Sequence, residues 1–234
     1  MAITPTQFLA RLRNELDDVP DSDYTDSALW TDAELYQYIT QAQQLLIEHV
    51  GYLRDRITLH AKADRQYTTL PDEVIDVEEL WLRTAQRTLN IRNYNEMTGF
   101  MVDDYGLRLA GQWRGSTGTP DNAVLDLETG RVYLIPTPVA DEEIDAVVLK
   151  TSGTVDSTTQ CFELKRETHV LALLPKCKEL AYSKHDADSY DPQLALKYKA
   201  ESLVEFDRVY DSLERVRKSN RAGSGTTRYG GIPW

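Results

Sequence analysis

The chain has 234 residues, of which 41% are hydrophobic and 27% charged, with a formal net charge of −12; that is length enough for one or two domains with a sizeable core under a polar surface. The acidic balance argues against a body that grips nucleic acid, because phosphates repel carboxylates. With no run of about eighteen apolar residues and no basic-then-apolar start in Met1-Ala-Ile-Thr-Pro-Thr-Gln-Phe8, neither a membrane span nor a secretory signal is expected, and Cys161 and Cys177 form neither a disulfide framework nor a zinc pattern, which fits synthesis in a reducing cytosol.

Residues 6–18 place Leu9, Leu12 and Leu16 at helical spacing, followed by an Asp-, Ser- and Pro-rich loop over 19–30. Trp30-Thr-Asp-Ala-Glu34 is a strong helix start: Thr31 caps, Glu34 reaches back, and Asp32 and Glu34 suit the positive end of the dipole. Trp30 is placed to staple onto Leu35. Leu35, Ile39, Ala42, Leu46, Val50 and Leu53 then predict a helix from Asp32 to about Arg56, its stripe widened by Tyr38, Leu45 and His49. After Ala63 the period shortens. Strands are predicted over Arg65–Leu70, Val74–Arg83, Thr88–Arg92 and Ile144–Thr151, with a short one at Leu107–Leu109. Tyr94–Asp103 is ambiguous, with a short helix as one reading, and Gly111–Asn122 reads as a glycine-rich loop. Ala123–Leu127 and Arg131–Ile135 flank Glu128-Thr-Gly130 as a hairpin, with Gly130 available for the left-handed position. Helical period returns over Thr168–Lys184, where Pro175 marks a kink or a fresh start. Asp191-Pro192 then opens a last helix to about Lys218, with Leu196, Leu203, Phe206, Val209, Tyr210, Leu213 and Val216 as its stripe.

The order is helix, helix, strands, helix, helix, tail. This is an α+β chain: a helical bundle from residues 1–62 and 161–218, with two long helices plus shorter ones, interrupted by a small antiparallel β domain at 63–160 and followed by a flexible C-terminal arm at 219–234.

Motifs for chemistry are sparse. His49, His60, His169 and His185 have no ligand spacing, and His185-Asp-Ala-Asp188 sits where a helix end calls for polar residues. Gly115-Ser-Thr-Gly-Thr-Pro120 lacks the Gly-Lys-Ser/Thr ending of a phosphate loop. Cys177 falls on an apolar helix face, and Ser116, Ser183 and Ser202 show no elbow motif. The carboxylate pairs Asp17-Asp18, Glu78-Glu79, Asp103-Asp104 and Glu142-Glu143 are what glycoside hydrolysis would use, yet in so acidic a chain they read as solvated surface. No catalytic residue, metal or cofactor is nominated. Trp81 alternates with Leu80 and Leu82, so it is either core on a second face or a partner contact. Trp113, between Arg108 and Arg114 in a glycine-rich stretch, is either an interface anchor or folds back on its own sheet.

The C-terminal segment has its own character. From Arg215 to Trp234 there are five basic residues and no acidic one, so the first 214 residues hold 21 Lys and Arg against 38 Asp and Glu. A Gly/Ser-rich arm of this kind cannot bury enough surface to fold alone. It carries Arg221 and Arg228 and finishes in Tyr229, Ile232, Pro233 and Trp234, groups that gain by docking into a pocket. About fifteen flexible residues span roughly 20 Å on average.

Leu29-Trp-Thr-Asp-Ala-Glu-Leu-Tyr-Gln-Tyr-Ile-Thr-Gln-Ala-Gln-Gln-Leu45 resembles the opening of the head-to-tail adaptor (connector) proteins of tailed bacteriophages, which often read Trp-Ser/Thr-Asp-x-Glu-Leu-x-x-Tyr-Ile/Leu-Asn-x-Ala-Gln, with Thr40 here where Asn is common. Tyr67-Thr-Thr-Leu-Pro-Asp72-Glu-Val74 is similar to their strand-and-turn with the Asp one place early; Leu134-Ile-Pro-Thr-Pro-Val-Ala140 and Ala181–Ala195 match a strand end and the last two helices. The likeness runs over roughly residues 29–215. It implies a non-enzymatic virion protein of the neck, commonly a dodecameric ring, with helices toward the capsid portal, the β part toward the tail nozzle or tube, and the C-terminal arm extended onto the portal. DNA would pass through without specific binding, past an acidic wall that repels it. Other readings are a tail-completion or stopper protein, or a cell-wall hydrolase of the virion.

Overall fold

A computed structural model describes residues 3–18, 29–93, 115–184 and 189–223, the last five of these by backbone alone. The fold is mixed α+β and divides into two units, Met1–Val50 with Ser152–Trp234, and Gly51–Thr151.

The first unit contains α1 (Pro5–Glu15), α2 (Asp32–Val50), α3 (Glu167–Leu171), α4 (Leu174–Tyr182) and α5 (Pro192–Gly223). α1 starts in a capping box between Thr4 and Gln7, with Pro5 in its first turn. α2 starts in another: the Glu34 amide donates to Thr31 Oγ1 at 3.3 Å and the Thr31 amide to Glu34 Oε2 at 2.9 Å. Apolar spacing buries Phe8, Leu9, Leu12 and Leu16 from one side and Leu35, Ile39, Ala42 and Leu46 from another. Phe8 meets Phe162 edge-on at 5.4 Å, and Trp30, fully buried, meets Tyr182 at 5.9 Å while its indole N–H donates to the Ala181 carbonyl at 3.3 Å. Trp30 therefore fixes the entry to α2 through a partner 151 residues away rather than by a local staple on Leu35 alone. Arg13 joins α1 to the same entry: its Nη1 reaches Asp18 Oδ2 at 2.6 Å, its Nη2 reaches Asp32 Oδ1 at 2.6 Å, and Nη2 also donates to the Trp30 carbonyl at 2.9 Å.

Three helix expectations change. α2 ends at Val50, not near Arg56, because Gly51 adopts a left-handed φ of 57° and breaks the helix. Its stripe widens through Tyr36, Gln43 and Ile47, while Leu45 and His49 stay exposed. Of the two readings of Pro175, the fresh start is the one seen: it lies in the first turn of α4, so the Thr168–Lys184 stretch is two short helices and not one kinked rod. Asp191 caps α5 by accepting from the amides of Gln193 (2.9 Å) and Leu194 (3.0 Å), and α5 runs on to Gly223, past the expected end at Lys218.

The second unit has eight strands: β1 (Arg54–Ala61), β2 (Tyr67–Thr69), β3 (Val74–Leu82), β4 (Arg87–Thr88), β5 (Asn90–Arg92), β6 (Asn122–Val124), β7 (Arg131–Ile135) and β8 (Glu142–Lys150). They form two four-stranded sheets, ordered β1-β8-β3-β4 and β2-β7-β6-β5, antiparallel except for the β5–β6 pair. A shared core of Leu59, Val77, Leu80, Leu82, Val132, Leu134, Ile144 and Val148 lies on their facing sides. β1 is the element that the helical reading of Leu53–Arg56 hid. Its residues pair with β8 from Arg54↔Leu149 to Ala61↔Glu142. The single strand expected over Thr88–Arg92 is split, because the chain leaves one sheet at β4 and enters the other at β5, with Leu89 buried between. Gly130 takes φ 73° in the β6–β7 connection, which pairs Asn122↔Ile135 through Val124↔Tyr133. The short strand expected at Leu107–Leu109 and the segment Tyr94–Asp103 lie outside the described residues.

The α2 cap is open to direct test. The Thr31 amide, with Lys184 and the Thr31 hydroxyl, holds the Glu34 carboxyl below its ordinary range. A depressed folded-state value contributes stability above the ordinary carboxylate range and loses it as pH falls through the folded value. Thr31→Ala costs about 1 kcal/mol in urea unfolding at neutral pH, and Glu34→Gln flattens the acid limb of the stability profile.

Candidate interaction surfaces

The β1-β8-β3-β4 sheet turns one face to its core and the other to solvent, by the two-residue period of its strands. On the solvent face the register sets Thr58, Asp145 and Trp81 in one row and Arg56, Val147 and Glu79 in the next. Trp81 is 38% exposed, so it belongs to a surface and not to a second core. Arg83 grips Asp145 through Nη2 at 2.6 Å and Nε at 3.3 Å and also contacts Glu143, and Thr58 Oγ1 donates to Asp145 at 3.1 Å. The Arg83 hydrogen bond, with help from Thr58, holds the Asp145 carboxyl below the usual range and pushes the Arg83 guanidinium up. A shallow hollow of about 270 Å³ beside Trp81 is bounded by Arg56, Glu79, Asp145 and Val147. An exposed indole inside a fixed polar rim is the makeup of a protein-contact anchor.

A second cluster in the same unit centres on Tyr67. The Arg65 and Arg131 guanidiniums lie 4.3 and 4.4 Å from its ring centroid, and the Tyr133 ring packs at 5.7 Å. Beside it runs a groove of about 420 Å³ with His60, Lys62 and Arg65 on its walls. Arg65 stands two residues before Tyr67, just ahead of β2, a nearness present in the sequence. Arg131 joins only through the β2–β7 register, Tyr67↔Tyr133 to Thr69↔Arg131, which local spacing does not contain.

In the helical unit, α5 buries a narrow line of Ala195, Ser202, Phe206 and Val209. Small Ala195 and Ser202 let it close on α4, where Tyr198 stacks on Tyr182 at 5.8 Å and Lys178 Nζ sits 5.0 Å from the Tyr198 centroid. As a result Leu196 (67%), Leu203 (53%) and Tyr210 (43%), all expected inward, are left in water as a ladder at seven-residue spacing. Leu45 of α2 is exposed as well and lines the same hollow as Leu203. On the other flank of α2 an open groove of about 920 Å³ is lined by Leu9, Ala33, Tyr36, Gln37, Gln41 and Val155, among others. Thr40 holds its far wall, donating to the Val155 carbonyl at 3.1 Å and accepting from the Val155 amide at 3.0 Å.

The residues nominated from sequence are only partly within view. Arg221 lies on the backbone of α5; Arg228, Tyr229, Ile232, Pro233 and Trp234 of the arm, and Arg108, Trp113 and Arg114 of the loop, lie outside the described residues, as does His185–Asp188. Gly115–Pro120 runs beside Thr137, with the Gly118 amide on the Thr137 carbonyl at 2.9 Å and Thr137 returning to the Ser116 carbonyl at 2.9 Å. Cys177 is buried, which pushes its thiol far up, and Cys161 is exposed. Of the carboxylate pairs, Asp18 is tied to Arg13, Glu78 to Arg54 and Glu143 to Arg83; Asp103-Asp104 lie outside the described residues. Among the described residues no group of His, Cys, Asp and Glu is placed to hold a metal, and no helix is long and apolar enough to cross a membrane.

The hydrogen bond from Arg65, followed by the charges of Arg65 and Arg131, lowers the Tyr67 phenol from its ordinary value. In a ¹³C-tyrosine NMR titration Tyr67 deprotonates ahead of an ordinary exposed tyrosine, and Arg65→Ala returns it upward; an unmoved titration after that substitution contradicts the assigned contact.

A family model described as SU10 adaptor protein matches residues 3–228 of the chain. No curated protein matches it.

Proposed function

We propose that this chain, which belongs to the SU10 adaptor protein family and so is a structural component of a phage at its head–tail junction, forms a ring that joins the capsid portal to the tail and lines the passage for DNA. The observation that carries this reading is the extent of the family match, which takes in both units. The surfaces described above support it. An exposed tryptophan in a polar rim, an arginine–tyrosine cluster and a ladder of bare leucines are contact features spread over both units, as a protein with several neighbours requires.

The helical unit faces the portal and the β unit, with Trp81 and the Trp113 loop flanked by Arg108 and Arg114, faces the tail nozzle or tube or a neighbouring copy. The basic arm reaches the portal with Arg221, Arg228, Tyr229, Ile232, Pro233 and Trp234. Repetition of weak arm contacts around a ring, dodecameric in this reading, multiplies their strength. The acidic body keeps free subunits apart at low concentration and keeps a passing duplex off the wall.

Deleting Ser224–Trp234 removes the segment beyond α5 and leaves its last turn in place. The truncated protein keeps its circular dichroism and melting temperature but is no longer retained by immobilised portal rings. Retention equal to that of the full chain rejects the arm as the portal anchor. Electron microscopy of the full chain mixed with portal shows whether a ring forms and how many copies it holds.

A further inference from the structure

We infer that adjacent copies meet head to tail through the helical unit, with the Leu196–Leu203–Tyr210 ladder of one copy seated in the α1/α2 groove of the next. This rests on the ring reading above and names the two faces that would build it.

A ring needs a heterologous contact: two different, complementary patches on one subunit, so placed that repetition closes. The helical unit has two such patches. On α2 the buried Leu35, Tyr36, Ile39, Ala42, Gln43, Leu46, Ile47 and Val50 mark the inward direction. At 100° per residue, Ala33, Thr40 and Gln44 fall on one flank of that direction and Leu45 and His49 on the other, with Gln41 on the outer face between them. The groove opens on the first flank. The second is where α5 lies, with His49 bonded to Asp207 at 3.1 Å and the ladder alongside. The lengths also match: Leu196 to Tyr210 spans about 21 Å of helix, and Ala33 to Gln44 about 17 Å.

Shape and polarity agree as well. The ladder offers three large apolar side chains in a line, and the groove offers Leu9, Tyr36 and Val155 under a rim of neutral amides. Charge points the same way. The ladder's acids are answered within their own copy, Asp207 by His49 and Glu214 by Arg217 and Lys218. Lys199, between Leu196 and Leu203, has no ion pair among the described residues. The charged residues lining the groove are Asp32 and Asp156, and no basic side chain lines it. Asp32 already faces Arg13, whereas Asp156 is bonded only to the hydroxyls and amides of Thr158 and Thr159. Lys199 of one copy and Asp156 of the next are the pair this contact would complete.

The test uses the full chain in a Cys161→Ser background, with buried Cys177 retained. Leu203→Cys and Gln41→Cys, both at exposed positions, are purified separately and oxidised alone and mixed, in the presence of portal. A reducible dimer that forms only in the mixture is the expected result, with Leu203→Asp raising the concentration needed for assembly about tenfold. A dimer from Leu203→Cys alone means ladder meets ladder and overturns the inference. So does a cross-link to portal in place of a second copy, or an assembled ring that forms no cross-link. In that last case the ring stands and only this interface fails, whereas the absence of any assembly on portal removes the ring reading and the interface with it.

Discussion

The two-sided pairing of β8 is the constraint on which the β unit depends. β1 and β3 both lie antiparallel to it, and neither pairs with the other. The sheet therefore has no centre until residues 142–150 arrive, more than sixty positions after β3 has begun. Every consequence on the solvent face follows from that register. Asp145 stands between Thr58 and Trp81 because β8 stands between β1 and β3, and Arg83 can bridge Asp145 and Glu143 only because both project from the same side of one strand. The inward side of the same strand supplies Ile144, Ala146 and Val148 to the core. One strand thus makes the hydrophobic centre and orders the polar face.

The helical unit is held by a different device. Its helices are joined by buried aromatic edges and by groups that tie distant stretches of chain: Trp30 to Ala181, Arg13 to Asp18 and Asp32, and Thr40 to Val155. Asp18 is almost wholly buried, and its charge is met by Arg13 and by the Leu29 amide at 2.7 Å. Removing such a partner leaves a carboxylate without compensation and costs more than the pair itself contributes. These ties set the entry to α2 and hence the direction of its two flanks, on which the groove and the exposed leucines lie.

Membership in an adaptor family and the character of these surfaces fit together physically. Ionisable groups whose values are moved are moved by neighbouring opposite charges and hydrogen bonds at the surface, as with Asp145 and Lys150, and by burial in cases such as Cys177. That is the electrostatics of ion pairs and packing. What the surfaces do display is contact capacity: an exposed indole, an arginine-clamped phenol and a helical ladder.

By itself the sequence determined what lies within a few residues of each signal. The caps at Thr31 and Asp191, the period of α2, the turn glycine at Gly130 and the opposition of Trp81 to Leu80 and Leu82 all act over a few residues of chain, and they were legible for that reason. Tertiary structure decided what depends on partners far away in the chain. β1 is extended because β8 pairs with it, although Leu53–Arg56 continues a helical period. α5 turns Ser202 inward and Leu203 outward because α4 admits a small side chain at the crossing, although apolar spacing favours the leucine. Arg131 reaches Tyr67 across a strand pair that no local pattern encodes. Periodicity says which residues share a face; only the packing of one element on another says which face is covered and which is left for a neighbour.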